Sequence, residues 1–169
     1  MTIDSQSNRL GVARNMDERS FRNAMGTFPT GVTVITTKVG SDVHGMTANA
    51  FMSVSLNPQL LLISIDEKAS MLDKIRQTNR FGLSILADHQ LDFSMHFAGQ
   101  KKKDQDIKFD WVNGMPVIPD ALAQIACTVE KTFVAGDHTL FLGKADHIVM
   151  NEGEAPLIFY KGNYQSLKL

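Results

Sequence analysis

Five histidines, at 44, 89, 96, 138 and 147, and one short run of small polar residues are the groups in this 169-residue chain whose types and spacing could do chemistry. His89, Asp92 and His96 fall at i, i+3 and i+7 and could share one helical face as metal ligands. The same spacing describes a solvated polar face, and the i, i+4 histidine pair of helix-borne zinc is missing, so no metal site is expected. His44 and His147 stand alone in strand-like segments and read as edge or surface residues. In TANAFMSVS, Thr47, Asn49, Ser53 and Ser55 alternate with bulkier neighbours, so an extended chain would align hydroxyls and an amide along one side. Such a row suits a ligand whose rim alternates donors and acceptors, a flavin for example, and it equally suits a strand facing water. His138 follows Gly136 and Asp137 at the tip of an expected hairpin, where a rigid β scaffold presents functional side chains. A turn histidine without a duty fits the same pattern. Lys101, Lys102 and Lys103 could meet phosphate or simply be solvated, and Cys127 lies mid-strand among apolar neighbours, as a packing thiol does.

The elements that must position these groups are mainly strands. Asp17 is placed as the N-cap of a short amphipathic helix carrying Phe21, Ala24, Met25 and Phe28, and Pro29 ends it. TGVTVITT, residues 30–37, starts the first strand. Residues 43–58 read as a polar-faced strand or an irregular loop beside one. QLLLISI (59–65) and RFGLSIL (80–86) are continuous apolar runs of strand length, expected to be buried on both faces. A helix with Ser70 as N-cap bridges them, a second helix is expected over 88–97, and the basic segment that follows reads as a loop. Residues 122–134 and 139–150 form a hairpin around AGDH, and PLIFYKGNYQSL adds one more strand with a turn at 161–163. About six strands with few helices favour a closed or half-closed β-barrel over a doubly wound sheet.

Composition sets the outer bounds. With 43% hydrophobic residues the chain suits one domain, expected over residues 17–169 behind a flexible arm at 1–16. The 17 Lys and Arg against 18 Asp and Glu leave no global field for nucleic acid or an anionic membrane. One cysteine, no spanning apolar run and no apolar core at the N-terminus point to a soluble protein of a reducing compartment, the cytoplasm by default. Neither G-x-G-x-x-G, nor a P-loop, nor a G-x-S-x-G elbow is encoded.

Five blocks, FRNAMGTFPTGVTVITT, HGMTANAFMSVSLNP, FAGQ, ALAQIACTVE and AGDHTLFLGKA, in order over about residues 17 to 167, resemble the flavin reductase components of two-component aromatic monooxygenases. The likeness is to the type serving phenol and 4-hydroxyphenylacetate hydroxylases. It implies an FMN-binding split β-barrel and a homodimer with flavin near the subunit interface. The implied reaction takes hydride from NADH, or in some members NADPH, to FAD or FMN, which then diffuses reduced to a separate oxygenase component. It further implies that Thr47, Ala48, Asn49, Ser53 and Ser55 line the isoalloxazine and ribityl chain, and that Phe97, Ala98 and Gly99 touch the flavin. Ser70, with Lys68 and Lys74, would lie near flavin phosphate at a helix start, and Lys103 is a further phosphate contact. Phe28, Pro29, Thr30 and Gly31 would form the nicotinamide side together with His138, which would position the ring for hydride transfer. Related barrels hold flavin or haem without oxidising NADH, or act as oxidases of the pyridoxamine-phosphate type. The joint presence of TANAF and AGDH favours the reductase.

Overall fold

The computed structural model describes residues 17–100 and 107–167; the expected arm at 1–16 and the lysines at 101–103 lie outside the described residues. A helix, α1 (Glu18–Met25), opens the described chain, with Asp17 Oδ1 accepting from Ser20 N at 2.6 Å as the expected N-cap. Its apolar residues are not buried: Phe21 and Met25 are each 56% exposed. Strands β1 (Thr30–Gly31), β2 (Thr33–Val39), β3 (Asp42–Ala48), β4 (Phe51–Leu56) and β5 (Gln59–Asp66) follow, then α2 (Ser70–Thr78) and β6 (Arg80–Ile85). A single 3-10 turn, Asp88–Gln90, leads into α3 (Leu91–Phe97). Strands β7 (Asp110–Val112), β8 (Met115–Val117), β9 (Ala123–Ala135), β10 (His138–Met150), β11 (Leu157–Tyr160) and β12 (Asn163–Ser166) complete the order.

Seven strands form one antiparallel sheet in the order β3-β2-β6-β9-β10-β5-β4. The sheet curls, because one core cluster draws Ile35 from β2, Ile63 and Ile65 from β5, Phe81 and Leu83 from β6 and Phe141 from β10, and packs Met46 of β3 and Phe51 of β4 against it. Residues from both edge strands thus meet around one interior. Burying each such side chain contributes roughly 1.5–3 kcal/mol. Met71, Leu72 and Ile75 of α2 join the same cluster and close one end. β3 and β4 do not pair with each other, so the barrel is split between them, and only Asn49–Ala50 spans the gap. A second cluster (Val32, Val34, Leu86, Ile118 and Leu157) lies outside β2, where β11 and α3 cover it.

Several expectations are corrected. The stretch 43–58 is two strands and not one, so Thr47 and Asn49 do not share a row with Ser53 and Ser55; the chain turns at Asn49–Ala50 because the two strands pair with different partners. β5 is buried on one face only: Leu61, Ile63 and Ile65 point inward, while Leu60, Leu62 and Ser64 stay half-exposed because no described segment covers its outer face. Ser70 is the first helical residue of α2, and Ala69 is the N-cap, with no side-chain capping bond. The C-terminal segment is a hairpin of two strands joined by Lys161–Gly162, both at positive φ (49° and 79°), the pairing a two-residue I′ loop requires. The basic loop ends in β7, a strand the sequence reading did not expect. The β9–β10 hairpin is as expected, with Gly136 at φ 63° in its two-residue loop.

Candidate functional site

Two concavities lie side by side at the end of β3. The smaller, about 200 Å³, is lined by Thr47, Ala48 and Asn49 from the end of β3, Ala98 and Gln100 beyond α3, and the aromatics Phe159 and Tyr164. The larger, about 910 Å³, lies between α1 and the β11–β12 hairpin and reaches Phe28, Thr30 and Asn49. Asn49 and Phe159 belong to both walls, so the two form one continuous site region. Phe28 and Thr30 line it while Pro29 and Gly31 do not, as the two-residue period of an extended chain dictates.

The smaller concavity is held by specific bonds. Thr47 Oγ1 donates to Ser94 O at 2.7 Å, tying β3 to α3, and Thr33 Oγ1 donates to Ala48 O at 2.6 Å. Ser94 Oγ and Tyr164 Oη are 2.8 Å apart, fixing the β12 aromatic against the same helix. The Phe97 ring is packed directly over Gly45, where no Cβ fits, and so spaces α3 from β3. Asn49 is exposed and its amide is available to a ligand, whereas the Thr47 hydroxyl is engaged by the helix carbonyl. Thr30 Oγ1 is buried without a hydrogen-bond partner beside the larger concavity.

His138 sits elsewhere on the surface. It opens β10 opposite Asp66 of β5 and Ala135 of β9, with its side chain 40% exposed. Its Nδ1 lies 2.7 Å from Asp137 Oδ1, and this hydrogen bond holds the Asp137 carboxyl below its ordinary range. Ser64 pairs with Leu140 and donates its N–H to Ala50 O at 3.2 Å, so His138 stands two residues, about 7 Å, beyond the level of the β3–β4 turn. It lines neither concavity. The β5–α2 corner lies beside it: Glu67 N donates to Asp137 O at 2.9 Å, Lys68 N to Asp66 Oδ1 at 2.7 Å, and Thr139 Oγ1 to Glu67 Oε1.

The remaining expected residues distribute as follows. Lys68 and Ser70 are exposed at that corner, and Lys74 Nζ donates to Ser70 O at 2.9 Å, so these three accompany His138 and not the smaller concavity. Ser53 and Ser55 lie on the edge strand β4, where Ser55 Oγ accepts from Asn57 N at 3.3 Å. Gly99, at φ 73°, has open space above it. Lys103 lies outside the described residues. His89, Asp92 and His96 do not gather ligand atoms; among the described residues the one group that does is the half-exposed to exposed Asp88, His89 and Glu154, within 4.8 Å of one another. Cys127 is buried in β9 and its thiol is pushed up to about 12, chiefly by burial. Sequence reasoning missed Val32, Gln100, Phe159 and Tyr164; the only signal for the last two was their place on strands flanking a Lys-Gly turn.

Comparison with known proteins gives a consistent picture. A family model described as "Flavin reductase like domain" matches residues 25–168. An "NADH-dependent flavin reductase" of Rhodococcus sp is 47% identical over 151 residues, 88% of this chain and 85% of that protein. The "4-hydroxyphenylacetate 3-monooxygenase, reductase component" of Thermus thermophilus is 32% identical over 150 residues, 89% of this chain and 97% of that protein. Among solved structures, "Flavin reductase PheA2 in native state" is 56% identical with a TM-score of 0.89, covering 91% of this chain and 100% of that one.

Proposed function

Since this chain belongs to the flavin reductase like family, we propose that it oxidises NADH, reduces FAD or FMN, and supplies the reduced flavin to a separate monooxygenase component. The observation that carries the reading is the shared wall of Asn49 and Phe159: residues expected beside flavin (Thr47, Ala48, Asn49, Ala98) line one concavity, and residues expected beside nicotinamide (Phe28, Thr30) line the adjoining one. Two stacked rings need such adjacency, since hydride transfer requires near-attack distance and no protein acid or base at the moment of transfer.

The residues present fit a flavin. The exposed Asn49 amide supplies both donor and acceptor for a pyrimidine edge, Ala48 and Ala98 leave room for a ring, and Phe159 and Tyr164 give an apolar wall. When bound, flavin accepts the hydride and carries the electron pair away. Thr47 acts on it indirectly, by keeping β3 against α3. Ser53, Ser55, Phe97 and Gly99 as flavin contacts, and Lys68, Ser70, Lys74 and Lys103 as phosphate contacts, rest on the family resemblance alone; none of the described ones lines either concavity of the single chain. Pro29 and Gly31 flank Thr30 on the nicotinamide side, at the start of β1.

His138 positions the nicotinamide in this reading, and it does so in a cleft completed by a second subunit. Its distance from both concavities of the single chain supports that arrangement, as does an uncovered apolar face: Phe133 pairs with Leu140 outside β9 and β10, and Leu142, Leu62 and Met52 continue it across β5 and β4. Phe133 is 50% and Met52 55% exposed, as are the apolar residues of α1, a pattern of unpartnered surface that a homodimer would bury. A catalytic unit over 17–169, a role in aromatic catabolism and a cytoplasmic location complete the proposal. Supporting these, one relative is named for 4-hydroxyphenylacetate oxygenation, and no described helix is long and apolar enough to cross a membrane.

Loss of nicotinamide absorbance is the direct assay, run with and without added FAD or FMN. NADH consumption that requires free flavin is expected; no consumption under either condition leaves only a binding protein. His138→Ala should slow hydride transfer in rapid mixing by between about 10- and 100-fold, and an unchanged rate and NADH affinity would remove His138 from the reaction.

A further inference from the structure

The larger concavity carries positive charge that the ring-stacking reading leaves without use. Arg22 projects from α1 on one wall and Lys161 from the β11–β12 turn on the other, and among the described residues no Asp or Glu lines the space. Among the described residues neither side chain has an ion-pair partner; Lys161 Nζ lies 5.2 Å from the Tyr160 ring centroid, a contact that orients the ammonium without neutralising it. The two walls are held at a fixed spacing, because Lys161 N donates to Gly26 O at 2.9 Å and straps the hairpin to the end of α1. Thr30 Oγ1, buried and unpartnered, adds a hydroxyl whose hydrogen bond no described residue supplies.

We propose that this concavity is the subsite for the diphosphate of a dinucleotide, with Arg22 and Lys161 as its cations. The inference rests on the reductase reading and extends it from the reacting rings to the rest of the substrate. The volume, about 910 Å³, is of the size that holds an extended small ligand, whereas the adjoining 200 Å³ takes no more than part of one. A diphosphate held between the two cations lies within the larger space, on the Phe28 and Thr30 side of the Asn49–Phe159 wall, and leaves the smaller space to the flavin ring. NADH and FAD both contain such a diphosphate and FMN does not. The position of Phe28 and Thr30 on the same wall favours NADH as its source.

The test uses the full chain and the double variant Arg22→Gln/Lys161→Gln, both exposed positions. ADP, followed by titration calorimetry, probes the diphosphate without any turnover, and initial rates are measured with NADH against FAD and against FMN. ADP affinity should fall by about tenfold or more in the double variant, and KM for NADH should rise by a similar factor with either flavin. A rise in KM for FAD, with KM for FMN and NADH unchanged, keeps the diphosphate subsite and assigns it to the flavin. Absence of ADP binding to the parent overturns the proposal. So does unchanged ADP affinity with unchanged KM values, or an equal loss in the control Lys38→Gln/Lys108→Gln, which removes two charges elsewhere on the surface. If the parent binds ADP and the variant does not, yet no NADH is oxidised, the reductase reading fails while the subsite stands.

Discussion

Gly45 decides how closely α3 approaches β3, and replacing it with alanine is the sharpest available perturbation of the flavin-side concavity. A Cβ at this position would stand 3.1 Å from Phe97 Cζ, and closer still to Cδ1 and Cε1 of the same ring. The ring has little room to retreat, since His96 meets it edge-on at 4.9 Å between centroids and Phe109 lies 6.2 Å away. Overpacking of this kind costs about 1–3 kcal/mol. For a domain of this size each kcal/mol lowers Tm by about 2–4 °C, so Gly45→Ala should melt roughly 2–12 °C below the parent in a calorimetric scan. The same displacement lengthens the Thr47–Ser94 bond and moves Ala98, so flavin affinity, read by fluorescence quenching, should weaken in parallel. Gly45→Ala/Phe97→Leu, which removes the clashing ring atoms, should recover part of both losses. Unchanged melting together with unchanged flavin affinity in Gly45→Ala would refute the claim that this contact sets the site.

The thiol of Cys127, buried and pushed up to about 12, should be inert to a thiol reagent near neutral pH in the folded protein and react fully once denatured. Because its folded value is raised, its contribution to stability is complete below the ordinary thiol range and is lost as pH rises toward 12, which denaturant titration of the parent against Cys127→Ala should reveal. Asp137 shows the opposite sign: its carboxyl is held low by the hydrogen bond with His138, so any stability from the pair is present above the ordinary carboxylate value and disappears as pH falls through the lowered one. Carboxyl carbon NMR should place the Asp137 titration below 3.8 in the parent and return it toward that value in His138→Ala.

Turns and caps were legible because their chemistry is local. Asp17 caps α1 through an amide three residues on, and Gly136–Asp137 and Lys161–Gly162 take the loop geometry their residue types prefer. The break at Asn49–Ala50 was not legible, since TANAFMSVS alternates smoothly and only the diverging partners of β3 and β4 force the chain to turn there. β5 failed in a related way. Its run of leucines and isoleucines reads as buried on both faces, yet burial depends on what lies across from it, and no described segment covers its outer face. For the site, the family resemblance carried Thr47, Ala48, Asn49, Ala98, Phe28 and Thr30, which the fold gathers around two adjoining concavities. Phe97 instead spends its ring on packing over Gly45.

What the amino-acid order determined by itself was a mainly β chain with short helices, its hairpins, its inert thiol and, through its motif blocks, its family. These follow from side-chain periodicity and turn chemistry, which act over a few residues. What only the tertiary structure decided was which distant residues meet. Sheet order places β3 and β4 at opposite edges and closes the barrel around them, the 2.9 Å strap from Lys161 to Gly26 brings a C-terminal lysine across from Arg22, and the outward register of β10 sets His138 apart from both concavities. Such meetings depend on long-range pairing and on cores that bury faces from many strands at once, and no local pattern encodes them.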